Sequence, residues 1–97
     1  MKNIIVVGAG LGGLATANLL AQKGHRVTVI EKNRELGGRA RTWKKDGYLF
    51  DMGPSWYLMP EAFERYFGLF GKKTSDYFRL KKLDPYYRVF FEKHDPV

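Results

Sequence analysis

The apolar residues near the N-terminus follow two different periods in succession. Ile4-Ile5-Val6-Val7 is an unbroken β-branched run closed by Gly8. Such a run predicts a short strand covered on both faces, the kind found inside parallel sheets. Leu14, Ala17, Leu20 and Ala21 then recur at helical spacing with Gly13 on the same face. They predict a helix from Leu11 to Lys23, stopped by Gly24. Arg26-Val27-Thr28-Val29-Ile30 reads as a second strand. Strand, glycine turn, helix and strand together open a right-handed βαβ unit, so the fold class is α/β and Rossmann-like. Further on, Asp46-Gly47 marks a tight turn between two strand-like pieces, Arg41 to Lys44 and Tyr48 to Phe50. Pro60 and Glu61 suit the first turn of another helix, in which Phe63, Phe67 and Phe70 share a stripe before Gly71. That stripe reads first as core packing. The functional alternative is one wall of a long apolar tunnel.

The glycine turn carries the first chemical signal. Gly8, Gly10 and Gly13 fit G-x-G-x-x-G between a strand and a helix, with Ala9, Leu11 and Gly12 completing the loop. Gly8 allows the sharp turn, Gly10 lets a pyrophosphate approach the backbone, and Gly13 lets the helix pack closely on the sheet. Amides at the helix N-terminus then face the phosphate charge. A merely structural glycine turn is the bland alternative. Glu31 closes the second strand, where an acid can accept hydrogen bonds from ribose hydroxyls and repel a 2′-phosphate. The bland reading of Glu31 is a surface residue beside Lys32. Shortly after comes Gly37-Gly38-Arg39, a second close backbone approach followed by a cation suited to phosphate.

Composition narrows the class. The chain has 97 residues, enough for one small domain, with 44% apolar and 28% charged content. It has no cysteine, hence no disulfide framework and no thiolate metal site. With only His25 and His94, far apart, no metal site is inferred. The run Ile4 to Val7 is too short for a signal-peptide core or a membrane span, so a cytoplasmic location is expected. The net charge of +7 suits an anionic partner or simply a solvated basic surface. Every aromatic residue lies at Trp43 or later. The small-residue half fits a phosphate-binding unit, and the Tyr/Phe-rich half fits an apolar ligand surface or a bulky core.

The stretch VVGAGLGGLATANLLAQKGHRVTVIEKNRELGGRA resembles the FAD-binding N-terminus of flavoproteins with a second Gly-Gly motif. Amine oxidases, protoporphyrinogen oxidases and carotenoid desaturases are among them. GYLFDMGPSWYLMPEAFERYFGLFGKK is similar to the bacterial-type carotenoid desaturases, through Gly47, Tyr48, Phe50, Asp51, Gly53 and Pro54. Asp76-Tyr77 and the run from Asp84 to Phe91, expected as a Leu/Tyr-rich strand, continue the match. The resemblance implies FAD as cofactor and desaturation of a long isoprenoid such as phytoene or dehydrosqualene. In those families the first loop holds the pyrophosphate, the acid holds the ribose, and the Gly-Gly-Arg stretch lies along the cofactor. Gly53, Pro54 and Ser55, followed by Trp56 and Tyr57, are expected near the flavin, and no catalytic acid or base stands out. Residues 1–57 are expected to form the FAD-binding unit, and 58–97 the start of a substrate region. Because a doubly wound sheet needs more strands, the chain reads as the N-terminal piece of a larger flavoprotein, its other partner being the remainder. Nucleic acid is not expected. A membrane-dissolved substrate would give Lys72-Lys73 and Lys81-Lys82 a peripheral membrane contact at the inner face. Amine-type oxidases, protoporphyrinogen oxidases, polyprenyl or retinol saturases, and a non-catalytic relative of Rab GDP-dissociation inhibitors are the competing readings.

Overall fold

The computed structural model describes residues 1–96. The chain divides into two compact units, Met1–Pro60 and Glu61–Val97.

In the first unit, β1 (Asn3–Val7) pairs in parallel with β2 (Arg26–Ile30), from Asn3 opposite Arg26 to Val7 opposite Ile30. The helix α1 (Leu11–Gln22) connects them and packs on both strands. Burial alternates along β1: Ile4 and Val6 are half-buried, whereas Ile5 and Val7 are 64% and 83% exposed. The expectation of a strand covered on both faces is therefore corrected. One helix covers one face, and the described residues supply no second layer. On α1, Gly13, Leu14, Ala17 and Leu20 turn inward as their spacing predicts, but Ala21 is exposed. Ala21 lies in the last turn, whose carbonyls cap the helix end. Gly24, at φ +87°, donates to the Ala21 carbonyl, and His25 donates to Leu20. This pair of bonds satisfies the orphan carbonyls and needs a left-handed residue, which is why the helix stops at a glycine.

A two-stranded hairpin follows, β3 (Thr42–Lys45) and β4 (Tyr48–Asp51). Asp46 and Gly47 both have positive φ, the geometry that a two-residue hairpin turn requires. The first strand of the hairpin starts and ends one residue later than the sequence pattern suggests, and the second starts at Tyr48 as expected but ends one residue later. Trp43 and Phe50 sit opposite one another with ring centroids 5.5 Å apart.

The second unit is organised by rings. The helix α2 (Pro60–Gly68) carries Phe63 and Phe67 on its half-buried side, and Phe70 just beyond is half-buried too. Phe67 meets Tyr77 at 5.3 Å and Phe78 edge-on at 6.4 Å. Tyr66 meets Phe70 in a tilted contact at 5.3 Å. The Glu64 carboxylate accepts from both the backbone amide and the hydroxyl of buried Thr74, fastening the loop after α2 to the helix. The Leu/Tyr-rich strand expected between Asp84 and Phe91 does not form. A strand needs a neighbour to satisfy its backbone, and only an isolated bridge from Phe91 to His94 is present there, closing a turn over Glu92 and Lys93. The turn expected at Asp95-Pro96-Val97 reaches outside the described residues.

Candidate dinucleotide-binding site

The site grows out of the C-terminal ends of β1 and β2. Their last pair is Val7 with Ile30. Gly8 extends the pairing by one bond, its amide donating to the Ile30 carbonyl at 2.7 Å, and then turns away at φ +99°. A residue with a side chain is strained in that conformation, so the sharp turn explains this glycine. The next amide, that of Ala9, donates to Glu31 Oε2 at 2.7 Å. Ala9 is wholly buried, and its carbonyl accepts from the Gly37 amide at 2.8 Å.

Gly10 caps α1 with extended backbone and no side-chain hydrogen bond, and the first turn holds no acidic residue. The first amides of a helix lack intrahelical acceptors, and this end carries partial positive charge. A Cβ added to Gly10 would meet only the Gly38 Cα, at 4.0 Å, so the space over this part of the loop is open. Gly13 is different: a Cβ there would lie 2.0 Å from the Gly8 carbonyl oxygen. Close packing of helix on turn therefore accounts for Gly13.

Glu31 stands one residue beyond β2, half-exposed, with Oε1 accepting from the Asn33 amide at 3.1 Å. The amide of Ala9, then that of Asn33, hold its carboxyl below the usual 4.5, and the charge of neighbouring Lys32 adds to the effect. Lys32 itself is exposed.

The second glycine pair belongs to the same cluster through a contact that the sequence does not announce. Gly37 forms a parallel bridge with Gly10. At Gly38 a Cβ would come within 3.0 Å of the Gly10 Cα. The close backbone approach expected at Gly37-Gly38 is thus, in this structure, an approach to the first glycine loop. Gly37 and Gly38 both have positive φ and lead into a 3-10 turn over Gly38–Ala40. Arg39 is exposed within that turn, and its carbonyl would be struck at 1.9 Å by a Cβ at Gly53. Gly53 therefore seats the chain after the hairpin on the Gly-Gly-Arg turn. Pro54 and Ser55 follow it exposed, as does Trp56. Ala9, Gly10, Glu31, Gly37 and Gly38 are brought together directly; Gly8, Leu11, Gly12 and Gly13 flank them in the loop and first helical turn. Asn33, which holds Glu31, carries no signal in the sequence, because its backbone amide is what matters.

The model for the NAD(P)-binding Rossmann-like domain matches residues 6–72. The chain belongs to this family. Similarity to the carotenoid desaturases also runs along nearly all of it. It is 53% identical over 96 residues to a carotenoid 3,4-desaturase from Haloarcula japonica, covering 99% of this chain and 19% of the relative. To a 4,4'-diapophytoene desaturase (4,4'-diaponeurosporene-forming) from Staphylococcus haemolyticus it is 46% identical, covering 97% and 19%. A 4,4'-diapolycopene oxygenase from Methylomonas sp is 47% identical, with 94% and 18% covered. The chain thus spans about a fifth of the curated relatives it matches. Among solved structures, an oxidoreductase from Methanosarcina mazei is similar with a TM-score of 0.50 and 38% identity, covering 57% of this chain and 13% of that one. The resemblance drawn from the residues between Gly47 and Phe91 therefore stands, and so does the Rossmann-like fold class. Among the described residues, no helix is long and apolar enough to cross a membrane.

Proposed function

We propose that this Rossmann-like chain supplies the FAD-binding part of an oxidoreductase that desaturates a long isoprenoid of the phytoene or dehydrosqualene type. The observation that carries the reading is the likeness to carotenoid desaturases over nearly the whole chain, in which the glycine loop and Glu31 meet at one site. The residues present fit a dinucleotide. Uncapped amides lead α1, open space lies over Gly10, and the Glu31 carboxylate keeps acceptor capacity for ribose hydroxyls. Its negative charge disfavours a 2′-phosphate, which speaks against NADP at this loop. Arg39, exposed in the Gly-Gly-Arg turn, suits a second phosphate contact.

Bound FAD would supply the two-electron chemistry that removes hydrogen from a saturated carbon–carbon bond. The chain's own work is to bind and orient. The loop from Gly8 to Gly13 would hold the pyrophosphate, Glu31 would hold the ribose, and Gly53, Pro54 and Ser55 would serve the flavin half. The aromatic residues of 58–97 contribute to the apolar surroundings of the polyene. A substrate of this kind dissolves in membranes, so the lysines at 72, 73, 81 and 82 give the protein a peripheral contact with the bilayer.

Gly10→Ala is the informative variant. An added Cβ meets only ordinary contact with Gly38, and φ is −72°, so the fold tolerates it. The methyl group nevertheless occupies the space that a pyrophosphate needs, and FAD affinity should fall roughly tenfold or more. Calorimetric titration with FAD, NAD+ and NADP+ measures this. Unchanged FAD affinity in a folded variant, or tighter binding of a nicotinamide dinucleotide, would overturn the cofactor assignment. Expressing the genomic locus beside a phytoene or dehydrosqualene synthase, and scanning extracts for coloured polyenes, tests the substrate class.

A further inference from the structure

We infer that Glu31 is a positioning residue for the phosphate half of the site, acting through Ala9, in addition to any contact it makes with ribose. The inference rests on the dinucleotide reading above and deepens it. The backbone ladder between β1 and β2 runs out at Gly8, whose amide takes the Ile30 carbonyl. The next amide, Ala9, is wholly buried and cannot turn to water. A side chain replaces the missing strand: Glu31 Oε2 accepts from it at 2.7 Å. On the other side, the Ala9 carbonyl is taken by Gly37 at 2.8 Å. Every polar backbone atom of Ala9 is thus committed, one of them to a carboxylate.

That carboxylate is itself held. Oε1 accepts from the Asn33 amide at 3.1 Å, so both oxygens are oriented by backbone amides. With the Lys32 amide also favouring the carboxylate, part of its roughly four acceptor directions is used, and the rest stays open to hydroxyls. Taking the carboxylate away strands a buried N–H, which folded chains avoid. The loop must shift to satisfy it. Gly10 and the first amides of α1 move with it. A residue acting only on ribose would leave that half undisturbed.

The two roles separate with a pair of ligands, ADP and 2′,3′-dideoxy-ADP, the second of which lacks both ribose hydroxyls. Wild type, Glu31→Ala and Glu31→Gln are titrated with each, and amide hydrogen exchange is recorded without ligand. Glu31→Ala should weaken 2′,3′-dideoxy-ADP by roughly 3- to 10-fold. The Ala9 amide should lose protection while the amides of β2 keep theirs. Glu31→Gln retains one acceptor oxygen and should restore most of the Ala9 protection and of the dideoxy-ADP affinity, while still binding ADP more weakly than wild type. If Glu31→Ala loses protection throughout β1 and β2, Glu31→Gln becomes the deciding variant. Wild-type affinity for dideoxy-ADP in a folded Glu31→Ala variant, or unchanged Ala9 exchange, overturns the positioning role and leaves the ribose role intact. A wild-type chain that binds neither ligand overturns the dinucleotide reading, and the inference falls with it.

Discussion

The two units solve the same problem, holding irregular chain in place, with opposite materials. In Met1–Pro60 the loops are fastened backbone to backbone: Gly37 on Ala9, Gly38 on Gly10, Gly13 on Gly8 and Gly53 on Arg39. In Glu61–Val97 the corresponding work is done by side chains, through the rings of Phe67, Tyr77 and Phe78 and the grip of Glu64 on Thr74. Contacts between backbones leave no slack, because carbonyl oxygens and α-carbons cannot rotate away. Ring contacts can adjust by changing rotamer. A binding loop that must present amides at fixed positions is better built from the first material, and an apolar lining from the second.

The sharpest way to break this contrast is Gly13→Val. Its Cβ falls 2.0 Å from the Gly8 carbonyl, and neither partner can yield without moving β1 or α1. Destabilisation of about 3 kcal/mol is expected from such overpacking. Urea unfolding measures it, and a neutral result would mean that helix and turn are not in contact.

Next in size comes Phe67→Ala in the ring-built unit. Phe67 is half-buried and meets three other rings, those of Tyr66, Tyr77 and Phe78, so its loss should cost about 2 kcal/mol. The neighbouring rings can close part of the gap, whereas nothing can absorb the valine at Gly13. A cost larger than that of Gly13→Val would invert the comparison.

Acid provides a gentler probe of the first unit. The Ala9 and Asn33 amides lower the Glu31 pKa below its ordinary 4.5 in the folded chain. Between the lowered value and 4.5, the unfolded chain binds more protons than the folded one, so stability rises with pH across that window. The contribution is fully present above 4.5 and is lost as pH falls through the folded value. Comparing urea midpoints of wild type and Glu31→Gln from neutral pH down to about pH 3 isolates it. The difference between the two proteins should shrink as the solution is acidified. A constant difference would place Glu31 outside the loop clamp.

The smallest effect belongs to Gly12→Ala. No atom lies within 4 Å of a Cβ there, and the position is helical. Stability should change by no more than about 1 kcal/mol, toward a gain, because alanine favours helix over glycine. Thermal unfolding beside Gly13→Val shows whether two adjacent glycines serve as differently as their surroundings imply.

The order of residues was enough by itself to determine the βαβ unit, the stop at Gly24, the Asp46-Gly47 hairpin and the inward stripe of Phe63 and Phe67. Each depends on local chemistry: hydrophobic period, a left-handed glycine, or a turn that only certain residues make. The same reading placed Gly10 and Glu31 at one site, because strand and helix geometry dictates where the loop and the end of β2 meet. Only the tertiary structure decided what the remaining glycines face. Gly37-Gly38 docks on the first loop, Gly53 seats on Arg39, and the Ala9 amide finds its acceptor in the Glu31 side chain. These are contacts between groups far apart in the chain, the first two of them backbone to backbone, and a glycine's spacing in the sequence carries no mark of its partner. The same holds for the exposed face of β1 and for the absent strand before Phe91. β-branched and aromatic residues favour a strand, but a strand forms only where a neighbour completes its hydrogen bonds, and whether a layer covers its face is decided by the rest of the fold.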